Sequence, residues 1–151
     1  MTNQISTNSS TSERPRALLY LRCGSGHQAD RDRAIVAQQH ACTQRAEELG
    51  SVVVGEFMDF ASGLNSERPG MTAMLARLRS LHEARQHQRI YVITADHGRI
   101  GRSVQAYSHV SYEIERAGGW LNIASVALAE YEALTRRTAW TNADELPPES
   151  S

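Results

Sequence analysis

Leu18-Leu19-Tyr20-Leu21-Arg22, followed at once by Cys23-Gly24-Ser25-Gly26, is the stretch that decides how this chain is read. An apolar run over Ala17–Arg22, closed by small turn residues, predicts a short buried strand. The strand delivers an arginine to its own end. Arginine is permanently charged and forks bidentately onto phosphate oxygens.

Outward from that strand the chain alternates. Asp32–Leu49 carries Ile35, Cys42, Ala46 and Leu49 at helical spacing, with Gly50 as the stop. Val52-Val53-Val54 begins a second, β-branched strand. Pro69-Gly70 opens a helix bearing Met71, Met74, Leu75 and Leu78. Arg89–Thr94 is the third strand. Ser103 caps a helix running to Ala117 with Tyr107, Val110 and Ile114 inward, and Gly118-Gly119 stops it. Trp120–Ala124 is the fourth strand. This order predicts an α/β fold, a mainly parallel sheet of four or five strands with helices on both faces. Functional loops in such folds lie at the carboxyl ends of the strands. Arg22, Arg68, Arg99 and Arg102 all fall in loops of that kind. Singly, each reads as a surface arginine in an ion pair; together they read as a phosphate site.

The same residues carry a resemblance. Tyr20-Leu21-Arg22-Cys23-Gly24-Ser25 is similar to the Tyr-x-Arg-Val-Ser-Thr opening of serine recombinases, the resolvase/invertase group. Gln28, the Ile35-to-Gln38 spacing, Ser62-Gly63 with Arg68-Pro69, and Gly98-Arg99-Ile100-Gly101-Arg102-Ser103 follow in that family's order. The resemblance covers about residues 16–125 and implies a resolvase-like fold in the lineage of site-specific DNA recombination. It implies metal-free, cofactor-free phosphoryl transfer, in which a serine attacks a DNA phosphate and arginines stabilise the charge. Arg22, Arg68, Arg99 and Arg102 then stand as catalytic and phosphate-binding residues, with Gln28 and Gln38 as further DNA or phosphate contacts.

Two positions depart from the pattern. Gly24 aligns with the nucleophilic serine and Gly98 with the catalytic aspartate. A hydroxyl stands one residue late, at Ser25, and a carboxylate two residues early, at Asp96. Ser25 is thus either a displaced catalytic nucleophile or a loop hydroxyl, with the second favoured, because a misplacement of ~1 Å can cost about a hundredfold. The leading expectation is a degenerate member that keeps an arginine cleft and performs no strand exchange. The alternatives are an active recombinase using Ser25, or a small phosphometabolite-binding α/β domain.

After the fourth strand the pattern shortens. Val126–Thr138, with Ala129-Glu130-Tyr131-Glu132 and Arg136-Arg137-Thr138, resembles only the later part of the family's long dimer helix. The family's separate DNA-binding module is not matched. The expected state is therefore a monomer or weak homodimer, with DNA bound weakly through its backbone or not at all, and room for a protein partner.

Composition sets the remaining bounds. The 151 residues suit one domain, expected over 16–140, between a polar disordered tail at 1–15 and an acidic one at 141–151. With 40% apolar residues the chain can form a core. The net charge of −1 and pI near 6.6 lack the overall basic footprint of a DNA binder. Yet there is no lysine, and all 16 basic residues are arginine. GC-rich coding accounts for most of that bias, while local clustering still makes a positive cleft. Cys23 and Cys42 make no disulfide framework, no run is long enough to span a membrane, and no signal peptide is visible, so a cytoplasmic location is expected. Cys23 reads as a small core residue. His27, Asp96 and His97 fit no metal-site spacing. Trp120 and Trp140 read as packing residues.

Overall fold

The computed structural model describes residues 14–24, 27–61, 67–85 and 88–124. Eight elements follow one another there: β1 (Arg16–Gly24), α1 (Gln28–Glu48), β2 (Val52–Ala61), α2 (Pro69–Ala84), β3 (Ile90–Thr94), α3 (His97–Ile100), α4 (Val104–Arg116) and β4 (Gly119–Ile123). The strands form a four-stranded parallel sheet in the order β2-β1-β3-β4. The expected α/β class is therefore correct.

β1 is buried because it is central. It pairs with β2 from Arg16↔Val52 to Gly24↔Ala61, with a register shift between Ala17 and Leu18. On its other edge it pairs with β3 only from Arg16↔Ile90 to Tyr20↔Thr94. Side chains alternate across the sheet. Leu18 and Tyr20 enter one core with Met74 and Leu78 of α2 and Ile114 of α4. Ala17, Leu19 and Leu21 enter the opposite core with Ala41, Cys42 and Ala46 of α1. Burying each Leu contributes about 1.5–3 kcal/mol.

The local signals work as physical chemistry requires. Pro69 takes the first turn of α2, where no intrahelical N–H partner is lost. The Ser103 hydroxyl accepts the Ala106 N–H at 3.0 Å and caps α4. Gly118, at φ +97°, turns the chain from α4 into β4 in a conformation that L side chains rarely adopt. Two expectations are corrected. α1 begins at Gln28 rather than Asp32; its extra turn is exposed and polar, so no apolar spacing announces it. Trp120 is 55% exposed rather than packed, because β4 is an edge strand. The Arg89 guanidinium covers its ring at 4.1 Å, a cation–π contact.

The strand order reverses direction at β1: one crossover leads to β2, the next to β3 on the other side. The carboxyl ends of β1 and β3 therefore diverge from their helices and leave a crevice.

Candidate functional site

That crevice is a cleft of about 120 Å³, lined by Arg22, Gly24, Asp96, Gly98, Arg99 and Arg102. The first two residues come from the end of β1 and the others from the segment after β3.

Arg22 lies beyond the last β1–β3 pair, so its main chain needs other partners on that side. Gln38 of α1 supplies them. Its Oε1 accepts the Arg22 N–H at 3.0 Å and its Nε2 donates to the Arg22 carbonyl at 3.0 Å. Gln38 is 1% exposed. It thus acts as a surrogate strand residue that fixes Arg22, with its amide turned to the main chain rather than to a ligand. Arg99 donates from Nη1 to the same carbonyl at 2.8 Å, and its Nε meets Asp96 Oδ2 at 3.2 Å. Arg102 is exposed and forms no ion pair among the described residues.

Arg68 does not line the cleft. Its guanidinium donates to the Ile100 carbonyl at the end of α3, across the chain from α2. It still lies close enough to act on Arg22. Burial, then the neighbouring charges of Arg68 and Arg102, push the Arg22 pKa down. An arginine does not discharge under such pressure. The guanidiniums of Arg22, Arg68 and Arg102 thus repel one another.

Sequence reasoning missed a buried carboxylate behind these arginines. Asp59 of β2 is 3% exposed. Its Oδ2 accepts the Tyr20 hydroxyl at 2.7 Å and the Met71 N–H at 2.9 Å, and its Oδ1 accepts the Gly70 N–H at 2.7 Å. It satisfies the first-turn donors of α2 and ties that helix to β1 and β2. A side chain at position 70 would bring its Cβ to 2.3 Å from the Met58 carbonyl, so the close approach requires glycine. Burial, with Asp59 alongside, raises the Tyr20 pKa far above the usual phenol range. The available signal was an acid inside the strand run Phe57-Met58-Asp59-Phe60, where acids are rare unless partnered.

The other candidates divide. Gln28 is exposed and bonds Asp32 at 2.8 Å and Arg31 at 2.9 Å within its own helix. Cys23 is buried, and desolvation raises its thiol pKa. The His97 ring lies 5.2 Å from that of Tyr107. Among the described residues no three His, Cys, Asp or Glu side chains converge as metal ligands, and no helix is long and apolar enough to cross a membrane. Ser25, Ser62 and the expected helix Val126–Thr138 lie outside the described residues.

The family described as Resolvase, N terminal domain, matches residues 17–138. No curated protein sequence matches the chain significantly. Several solved structures share the fold, three of them as follows. The C-terminal catalytic domain of ISC1926 TnpA, an IS607-like serine recombinase, is 21% identical, with a TM-score of 0.57 over 83% of this chain and 82% of that one. The N-terminal catalytic domain of TP901-1 integrase is 19% identical, with a TM-score of 0.57 over 84% and 98%. A resolvase family site-specific recombinase from Streptococcus pneumoniae is 14% identical, with a TM-score of 0.58 over 87% and 95%.

Proposed function

This chain belongs to the resolvase N-terminal domain family, and from that premise we propose that it is a recombinase-type domain that holds a phosphate without cutting DNA. The unit meant runs over about residues 16–140, which the family match over 17–138 supports. The observation that carries the proposal is the lining of the cleft: Arg22, Arg99 and Arg102 stand together with Gly24 and Gly98.

The arginines serve the electrostatic half of phosphoryl transfer. Guanidiniums held before a phosphate arrives cost no reorganisation when it binds. Asp96 and the Arg22 carbonyl hold the Arg99 guanidinium, and Gln38 fixes the main chain from which the Arg22 side chain extends. The glycines remove the chemical half. Bond exchange needs a nucleophilic oxygen in line with phosphorus and a group to manage its proton. Gly24 carries no oxygen, and Gly98 no carboxylate. Cys23 is buried, and desolvation disfavours the thiolate that would have to attack. DNA held this way is bound through its phosphates, hence weakly, without sequence preference and in a salt-sensitive manner.

The test is covalent capture. The protein is incubated with a suicide DNA substrate that traps a phosphoserine link, then run on a denaturing gel. No adduct is expected from the wild type or from Gly24→Ser alone. An adduct that forms with the wild type and vanishes in Ser25→Ala would replace this reading with an active enzyme using a displaced nucleophile.

A further inference from the structure

We infer that Asp96 is the positioning residue of the arginine cleft: its carboxylate holds Arg99 and occupies the space beside Gly98. Three observations meet here. Asp96 Oδ2 lies 3.2 Å from Arg99 Nε. A Cβ built on Gly98 would sit 3.1 Å from Asp96 Oδ1, tighter than ordinary contact. Asp96 also stands at the N-cap of α3 with extended backbone, yet its side chain makes no cap hydrogen bond. An aspartate at that position ordinarily accepts a helix N–H. Here the carboxylate turns to the cleft and to Arg99 instead.

The arrangement has a consequence for charge. Among the described residues lining the cleft, Asp96 is the one acid against three arginines. A second carboxylate at position 98 would face Asp96 at close range, and like charges at such separation oppose one another's ionisation. An acid at 98 would therefore press on the Asp96 carboxylate and compete with it for Arg99. Glycine at 98 leaves the space that the Asp96 carboxylate approaches. Arg99 stays oriented by two fixed acceptors, Asp96 and the Arg22 carbonyl. Only the sulfate measurement below rests on the phosphate-holding reading; the hydrogen-exchange measurement does not.

The full chain is compared with Asp96→Asn, Asp96→Ala, Gly98→Asp and Asp96→Ala/Gly98→Asp. The first reading is hydrogen exchange of the Arg99 Nε–H by NMR. Asp96→Ala should lose about tenfold in protection, the equivalent of one modest hydrogen bond, whereas Asp96→Asn, which keeps an acceptor oxygen, should retain most of it. The second reading is sulfate affinity at constant ionic strength. Gly98→Asp should weaken sulfate about tenfold in the wild-type background and less than about threefold in Asp96→Ala, since contacting residues couple. The inference is overturned if Asp96→Ala leaves Arg99 protection unchanged, or if Gly98→Asp acts equally in both backgrounds. Should the wild type bind no sulfate while the exchange pattern holds, the positioning role stands and the phosphate-holding proposal falls. In that case the Gly98→Asp coupling is read from melting temperatures, where Gly98→Asp should cost more with Asp96 present.

Discussion

Asp59 and Asp96 both stand near the carboxyl end of the sheet, and their surroundings differ in kind. Asp59 is 3% exposed and meets three neutral donors, one from β1 and two from the first turn of α2. Asp96 has a side chain 34% exposed and meets one arginine that is itself 31% exposed. The first carboxylate is saturated by its own fold. The second belongs to a cleft where cations outnumber acids. One corner holds strand and helix together, while the other gathers three arginines around one acid among its described lining residues.

If that contrast is right, the largest effect belongs to the saturated corner. Asp59→Ala leaves the Tyr20 hydroxyl and the Gly70 and Met71 N–H groups without their acceptor. Each buried orphan costs roughly 1–3 kcal/mol, so a loss of about 3–5 kcal/mol is expected, read as a shift of the urea midpoint at unchanged slope. A loss under ~1 kcal/mol would mean that water replaces the carboxylate and that the corner is not structural.

A smaller effect follows from Tyr20. Its phenol pKa is raised in the folded protein by burial, then by Asp59. A raised pKa contributes stability that is complete below the unfolded value of 10.0 and is lost as pH climbs toward the folded one. Wild-type stability should therefore fall more steeply above pH 10 than that of Tyr20→Phe. At pH 7 the same variant should cost about 1 kcal/mol, the net worth of one hydrogen bond. Parallel alkaline profiles for the two proteins would break the assignment.

The smallest effect belongs to the open corner. Arg102→Gln should change stability by less than ~0.5 kcal/mol in chloride buffer, as exposed substitutions do. The same variant should lose part of the stabilisation that sulfate gives the wild type. A variant that is markedly destabilised in chloride would show that Arg102 serves the fold and not the cleft.

Much of this contrast was hidden in the sequence. Strand ends, the Pro69 helix start and the Ser103 cap are written in neighbouring residues, and they were legible for that reason. The placement of Arg22, Arg99 and Arg102 was legible in part, because they sit at the ends of readable strands. Arg68 was not, since its partner is a carbonyl 32 residues away. Asp59 escaped notice because its meaning lies in Tyr20, 39 residues off. Gln38 was read as a possible phosphate contact because polar identity conveys nothing of burial. It takes a place beside Ala41 and Cys42 on the buried stripe of α1, and a chain end that lacks a strand partner uses its amide. Trp120 misled in the opposite sense, since a large aromatic suggests a core until the strand proves to be an edge.

The most direct test of the central claim is an NMR titration of the wild-type chain with sulfate against chloride at matched ionic strength. The account predicts saturable shifts centred on the side-chain resonances of Arg22, Arg99 and Arg102, with Tyr20 and the Gly70 and Met71 amides unmoved. Shifts that rise without saturation, or that centre on other arginines, would contradict it.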